Sequence, residues 1–203
     1  MNINLGKAIL VVIAADVIVA FRYNQCYPGG CGYRPTFISK AVAQISNGDA
    51  SGTVTFMQDS PNRYVTVTGT ISGLSDGSHG FHVHQFGNLT GGCGSASGHY
   101  NPYMFNHGGP NDRIRHVGDL GNIRAVNGVA SFMITDPFLS LNGPTSLVGR
   151  SIVVDAEEDD LGKGGDAESK ISGNSGDPVG CGLIGIAEEK ATLYHRRKKR
   201  SIH

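Results

Sequence analysis

The sequence predicts an all-β protein, a sandwich or Greek-key barrel of antiparallel strands. Short segments rich in β-branched residues recur at intervals of roughly 8–12 residues, with turn residues between them. Glycine is frequent, with 30 among 203 residues, and tryptophan is absent, which favours turn-rich β structure over long helices. No segment before Glu188 keeps a helical repeat of apolar residues over successive turns.

Eight candidate strands follow from this pattern, separated by Asn-Gly, Pro-Asn and Asp-Gly turns. They cover residues 40–45, 52–57, 64–71, 80–86, 118–124, 129–134, 151–155 and 182–187. Two connections, 87–115 and 156–180, are much longer than a turn. Such long loops in a compact domain are usually functional or disordered, so we expect a site there.

The first twenty residues have the layout of a secretory signal peptide. One positive charge lies within 1–7, an apolar stretch follows, and cleavage is predicted near Ala20. Asp16 favours the alternative, a buried N-terminal strand, and the apolar stretch is too short to span a bilayer. We therefore predict secretion into an extracellular fluid, with no transmembrane segment.

The four cysteines agree with export, because an even number suits a disulfide-bonded secreted protein. Cys26 and Cys31 flank a Pro-Gly-Gly turn and are predicted to close a small loop, which stabilises by about 2 kcal/mol. A metal-binding cysteine pair is the alternative, but no second pair stands nearby.

Charge is distributed unevenly along the chain. The formal net charge is zero, yet residues 21–195 hold 11 basic and 16 acidic residues, a net charge of −5. The basic residues Arg196, Arg197, Lys198, Lys199 and Arg200 form a tail. This tail is either a solvated charge run or a site for a polyanion such as a heparan-like polysaccharide, and 197–200 also resembles a proprotein-convertase cleavage site. No nucleic acid partner is predicted.

Six of the eight histidines lie between positions 79 and 116. His82 and His84 are alternate residues of a candidate strand, so their side chains share one face. A second set consists of three imidazoles and a carboxylate, which is a closed ligand set of the kind that Zn²⁺ prefers. Its members are His99, His107, His116 and Asp119. The spacing predicts a metal site.

These residues belong to longer motifs, which together resemble the copper/zinc superoxide dismutase family. The motifs are GFHVHQFG at 80–87, HGGPND at 107–112, HVGDLGN at 116–122, DDLGKGG at 159–165 and CGLIGIA at 181–187. The resemblance extends from about Ala43 to Ala187. It implies an eight-stranded Greek-key barrel and a Cys93–Cys181 disulfide that ties the first long loop to the last strand, worth roughly 4–5 kcal/mol.

The resemblance also implies a role for each candidate ligand. His99, His107, His116 and Asp119 fall on the family's zinc ligands, and His99 would bridge to copper. His82 and His84 fall on two copper ligands. Asp159 matches the aspartate that links the two metal sites and orients their imidazoles.

Two positions depart from the family pattern. Asp155 stands where the family has its fourth copper ligand, a histidine, and Pro178 stands where it has the arginine that guides the anion. Ile171 also replaces a lysine that the family often has. A hard carboxylate suits Cu(I) poorly, and losing a steering cation lowers on-rates by roughly 10–10³-fold. We therefore predict bound zinc, weak or absent copper and no efficient catalysis. A weakly active extracellular superoxide dismutase is the alternative.

The damaged copper site, the N-terminal cysteine pair and a sequon, Asn88-Leu89-Thr90, are also similar to molluscan plasma and extrapallial proteins of the cavortin and dominin type. That resemblance implies metal carriage or storage, mineralisation or immune binding, and a homo-oligomer. Asn88 is predicted to be glycosylated. A further alternative is binding of polysaccharide or microbial surfaces through the tail.

We expect four parts along the chain. These are a signal peptide at 1–20, an extension with the local cysteine pair at 21–39, the superoxide-dismutase-like β-barrel domain at 40–187 and the basic tail at 188–203.

Overall fold

The computed structural model describes residues 26–27, 30–31, 36–61 and 63–191. The predicted signal peptide and the basic residues 196–200 lie outside the described residues. At the N-terminal end, strands β1 (Cys26–Tyr27) and β2 (Gly30–Cys31) pair antiparallel as a small unit of their own, with Cys26 opposite Cys31 along the backbone. For Cys26 and Cys31 the structure describes the backbone pairing and not the side chains.

The remaining strands form one antiparallel sheet, which confirms the predicted all-β fold. They are β3 (Thr36–Ile45), β4 (Ser51–Met57), β5 (Val65–Ser72), β6 (Gly77–His84), β7 (Asp119–Val126), β8 (Val129–Asp136), β9 (Ser151–Asp155), β10 (Pro178–Leu183) and β11 (Gly185–Ala191). Their order in the sheet is β10-β9-β6-β7-β8-β5-β4-β3-β11. Because β5 pairs with β8 and β6 lies between β7 and β9, the connections cross as in a Greek key.

The two ends of the sheet approach each other, so the barrel is nearly closed. Ser46 N donates to Cys181 O at 3.3 Å, and Ala50 N donates to Val179 O at 3.0 Å, which brings β10 against the β3–β4 turn. The core inside is built from alternating apolar residues such as Val54 and Phe56 of β4. Burial of one face of each strand against this core fixes the register of the strands.

The sheet has nine strands where eight were predicted, because the segment predicted as 182–187 changes partners midway. β10 pairs with β9, whereas β11 pairs with β3. Between them Ile184 is fully buried, donates to Arg150 O and accepts from Gly149 N. The sheet also extends beyond the segment 40–187, since β3 begins at Thr36 and β11 ends at Ala191.

Three long connections leave this sheet, at 85–118, 137–150 and 156–177. The first contains a short 3₁₀ helix, Cys93–Ala96, which the predicted disulfide joins to β10. That disulfide is confirmed, with 5.6 Å between the Cα atoms of Cys93 and Cys181. The first and third connections carry most of the candidate ligands. Within the described part of the chain, no helix is long and apolar enough to cross a membrane.

Candidate metal centre

Loop 85–118 folds back onto the end of β6, which brings its histidines to those of the strand. Val83 N donates to Gly118 O at 2.9 Å, and Tyr100 N donates to Val83 O at 2.8 Å. His99 consequently forms a backbone bridge with His84. All six predicted histidine and aspartate ligands therefore lie at one end of β6, although 37 positions separate the first from the last.

The four predicted zinc ligands come together around a single carboxylate oxygen. Asp119 Oδ1 lies 2.9 Å from His99 Nδ1 and 3.0 Å from His116 Nδ1. His107 Nδ1 also lies 3.0 Å from that oxygen, and His116 Nδ1 lies 3.4 Å from His99 Nδ1. In a tetrahedral zinc site with bonds of roughly 2.0–2.1 Å, neighbouring ligand atoms are about 3.3 Å apart. The four donors therefore fit a zinc ion.

A further observation supports this fit. His107 Nδ1 is buried and makes no hydrogen bond within the described residues, despite its short distance to Asp119. The direction of His107 Nδ1 relative to the Asp119 carboxylate does not suit a hydrogen bond between them. An unpaired buried nitrogen is costly unless it has another partner, and a metal ligand's lone pair has this geometry.

The backbone fixes the other oxygen of Asp119. Its Oδ2 accepts from His116 N at 2.7 Å and from Gly108 N at 3.2 Å, which turns Oδ1 toward the imidazoles. The fully buried guanidinium of Arg115 donates to Asp119 O at 2.6 Å and forms an ion pair with Asp136. These contacts position the carboxylate before any ion binds.

The predicted copper ligands form a group of three imidazoles. His82, His84 and His99 each place a ring nitrogen within 4.8 Å of the other two, and the rings of His82 and His99 stack at 3.9 Å. His84 Nδ1 is 2.5 Å from Ser97 O, while its Nε2 is buried without a hydrogen-bond partner among the described residues. The three rings thus bring three nitrogens together in one group of candidate metal ligands.

Asp155 does not join these three nitrogens as a fourth donor. Its Oδ2 lies 2.9 Å from His82 Nδ1 and accepts a hydrogen bond from Ser175 Oγ, also at 2.9 Å. The residue is 3% exposed. The carboxylate therefore engages one of the nitrogens that a copper ion would need.

Asp159 lies between the two ligand sets. Its Oδ1 is 2.8 Å from His107 Nε2, and its Oδ2 is 3.0 Å from His82 Nε2. Only glycine fits beside it at position 173, where φ is +72°, because a Cβ there would lie 2.0 Å from Asp159 Oδ1 and 2.5 Å from His107 Nε2. This carboxylate orients one imidazole of each set.

The carboxylates shift the pKa values of the buried histidines. Burial opposes the charged form of His107, but the adjacent carboxylates of Asp119 and Asp159 raise its pKa to about 9. Burial, followed by the proximity of His82, lowers the pKa of His99 to about 3. Although burial favours protonation of Asp119, hydrogen bonds from the histidines hold the pKa of its carboxyl below the usual range. The zinc set is thus partly protonated before metal binds.

Pro178 and Ile171 stand where the resemblance implies an arginine and, often, a lysine. Pro178 begins β10 at the sheet edge, opposite Asp155, and is exposed. Ile171 is 60% exposed on loop 156–177. Neither side chain carries a charge that could attract an anion to the site.

Sequence reasoning did not identify three residues that shape the site. Ser175 binds Asp155, while Arg115 and Asp136 hold Asp119 in place. Arg115 immediately precedes a ligand and Asp136 ends a strand, but nothing in the pattern shows that they meet. Such pairs depend on the barrel's topology, which joins positions distant in sequence.

The fold and the site define a class of protein, an antiparallel barrel with two adjacent groups of candidate metal ligands. The sequence model of the family "Copper/zinc superoxide dismutase (SODC)" matches residues 50–184. This match covers more than half of the chain. The chain therefore belongs to the copper/zinc superoxide dismutase family.

Among individual proteins, the chain is similar to "Superoxide dismutase [Cu-Zn] A" of Xenopus laevis. The two are 54% identical over 148 residues, which span 72% of this chain and 97% of the relative. The similarity to cavortin and dominin stays a prediction.

Proposed function

We propose that this chain is a secreted, zinc-binding member of the family whose copper site is impaired, and that it carries or stores metal in a body fluid instead of dismuting superoxide efficiently. Zinc would be held by His99, His107, His116 and Asp119. Copper would be held weakly by His82, His84 and His99.

The observation that carries this proposal is the hydrogen-bonded position of Asp155. Its carboxylate binds His82 Nδ1 and is itself held by Ser175. A metal ion can bind His82 Nδ1 only after the buried hydrogen bond between His82 and Asp155 is broken. A histidine at this position, which the resemblance implies for the family, would supply a nitrogen ligand for copper, whereas the Asp155 carboxylate competes with copper for His82.

Copper supplies one-electron redox chemistry when it is bound, which zinc does not. The residues of this chain keep part of what that chemistry needs. Asp159 orients His82, and His84 Nε2 stays available. They do not retain a charged group at 178 or 171 that would draw an anion toward the site.

The second candidate function is a weakly active extracellular superoxide dismutase. The 54% identity to "Superoxide dismutase [Cu-Zn] A" favours superoxide dismutase activity, as does the grouping of three copper-side imidazoles. This candidate differs from the first only in the turnover of the copper-loaded protein.

Pulse radiolysis of the unmodified protein, loaded with copper and zinc, separates the two. We expect a rate constant at least about 100-fold below that of the Xenopus laevis relative loaded in the same way, because both ligand and steering groups are altered. Metal content is measured on the same sample, so that a low rate cannot arise from missing copper. A near-diffusion-limited rate would refute the proposal and establish the enzymatic alternative.

Secretion, glycosylation and assembly belong to the same proposal. Asn88 is exposed, and its Oδ1 accepts from Thr90 N at 3.1 Å and Thr90 Oγ1 at 2.8 Å, so an exposed asparagine is presented beside its sequon hydroxyl. Peptide mapping of protein from its native source tests the glycan on Asn88 and the Cys26–Cys31 bond. Sedimentation tests the proposed homo-oligomer.

A further inference from the structure

Loop 156–177 lies directly beside the copper-side imidazoles. Next to Asp155, Ala156 N donates to Asp177 O at 2.9 Å and Glu157 N donates to Ser175 O at 2.8 Å. Ser175 in turn binds the Asp155 carboxylate. The two ends of the loop are therefore pinned to each other and to the copper side of the centre.

The loop is strongly acidic. Residues 156–177 include seven acidic and two basic residues. One of the two cations, Lys170, is bound to Gly162 O. Asp160 and Asp166 are engaged by Asn174 and Ser169, which hold the shape of the loop. The excess negative charge is thus built into an ordered segment.

Three acidic side chains of this loop are free. Glu157, Glu158 and Asp177 are exposed and form no ion pair with any residue that the structure describes. Two of them flank the backbone ladder that holds Ser175 against Asp155. All three charges therefore lie exposed on the loop whose Ser175 binds Asp155.

A second, independent observation points to a ligand there. His84 Nε2 is buried without a partner among the described residues, in a side chain that is 7% exposed. His84 groups with His82, which touches Asp155. An unpaired imidazole nitrogen in the ligand group that Asp155 and Asp159 contact through His82 suits a metal cation.

We infer that loop 156–177 steers divalent transition-metal cations, of which Cu²⁺ is the probe, toward His82, His84 and His99 and repels anions from them. This inference rests on the proposed function, because it requires a copper side that still takes up metal. A field of one sign around a cleft raises the on-rate of the opposite charge by roughly 10–10³-fold.

The test measures the rate at which zinc-loaded protein takes up Cu²⁺, followed by the growth of copper absorbance after rapid mixing. The bimolecular rate constant should fall as salt rises from 0.01 M to 0.15 M, where the Debye length shrinks from roughly 30 Å to roughly 8 Å. The triple variant Glu157→Gln, Glu158→Gln, Asp177→Asn should take up Cu²⁺ about tenfold more slowly at low salt, with a weaker salt dependence.

A matched control removes three acidic charges elsewhere. Asp59→Asn, Glu188→Gln and Glu189→Gln are exposed substitutions on elements that contribute no residue to the centre. This variant should keep the wild-type rate and salt dependence. An uptake rate that is independent of salt or rises with it, or equal slowing in both triple variants, would overturn the inference.

The equilibrium arm tests the proposed function separately. The dissociation constant for Cu²⁺ should be unchanged in the control variant and should rise in the loop variant by no more than the factor by which its uptake slows, since none of the changed residues is a ligand. Tight, efficiently redox-cycling copper would contradict the proposed function while leaving the steering intact. Failure of the zinc-loaded protein to take up any Cu²⁺ would contradict the steering.

Discussion

Asp155 receives hydrogen bonds from His82 Nδ1 and Ser175 Oγ inside a buried site. Replacing it with histidine removes the competing carboxylate and adds a nitrogen donor. We expect Asp155→His to lengthen copper retention at least about tenfold, since even residues that only orient metal ligands alter affinity by 10–100-fold. Copper release into a chelator is the measurement. Asp155→Asn, which removes the charge without adding an imidazole, is the control, and equal retention in both variants would contradict the argument.

Position 178 is a second residue at which the family pattern is broken. In the Asp155→His background, Pro178→Arg should raise superoxide turnover by about tenfold at low salt, because it adds a cation beside the site. The gain should shrink at physiological salt, where the field is screened over roughly 8 Å. A gain independent of ionic strength would rule out steering as its cause. Pro178→Gln, which frees the same backbone without a charge, serves as the control.

His107 makes zinc binding depend on pH. Its pKa is raised to about 9, so at pH 7.5 zinc must displace a proton from it, whereas His99, with a pKa of about 3, is already neutral. We expect at least about one proton to be released per zinc at pH 7.5. Calorimetry of zinc binding in buffers of different ionisation enthalpy measures that number. A value near zero would show that His107 is not protonated in the metal-free protein.

The same shift has a defined sign for the stability of the metal-free protein. Because the pKa of His107 in the folded state lies above the ordinary value of 6.5, its protonation stabilises the folded protein. This stabilisation is fully present below about pH 6.5 and is lost as the pH rises through about 9.

At the scale of single residues, the sequence motifs predict that the candidate ligands lie close together, and the structure groups them. His82, His84 and the zinc set stand in local motifs whose spacing is visible without a structure. What Asp155 contacts was not predictable, because Ser175 reaches it from a loop twenty positions later. The hydrogen bond, and with it the competition for His82, follows from how that loop folds.

The pair formed by Arg115 and Asp136 connects two elements, the end of loop 85–118 and the end of β8. Both side chains are buried, so removing one leaves an uncompensated charge. Arg115→Met should lower the free energy of unfolding by about 3–5 kcal/mol. Adding Asp136→Asn in that background should restore stability, because it neutralises the stranded carboxylate and keeps the oxygen that accepts from Phe138 N and Leu139 N.

Denaturant titration of the two single variants and the double variant measures the coupling free energy between Arg115 and Asp136. Arg124→Met, at an exposed position of β7, is the control and should change stability by less than about 0.5 kcal/mol. A double variant no more stable than Arg115→Met would mean that the arginine stabilises the fold through contacts other than its ion pair with Asp136, such as those with Asp119 O and the Phe138 ring.

Strand patterns show where prediction from sequence stops at the level of elements. The alternation in β4 and β5 is plain because each strand buries one face. The segment 178–191 lacks a turn signal at Ile184, so the sequence predicts only one strand within it, at 182–187. Its division into β10 and β11 comes from the barrel's closure, in which the same segment pairs with β9 and then with β3.

For the whole molecule, the barrel and the ligand sets depend on one another. His82 and His84 come from β6, Asp119 begins β7, and the loops between strands supply the rest. A bound ion would therefore link loop 85–118 to strands β6 and β7, in addition to the loop's own connections to the sheet. Zinc binding should contribute to the stability of the entire barrel, since it is a ligand of the folded state only.

We therefore expect the purified protein to contain about one tightly held zinc per chain and to lose stability when the metal is removed. With zinc at about a thousandfold its dissociation constant, binding stabilises the fold by about 4 kcal/mol, which corresponds to a fall in Tm of roughly 10 °C on chelation. His107→Ala should show the low Tm without chelation and respond little to added zinc. His84→Ala leaves all four zinc ligands in place and should keep the zinc-dependent Tm. Elemental analysis and calorimetry measure both quantities, and native protein without zinc would remove the basis for assigning His99, His107, His116 and Asp119 as a zinc site.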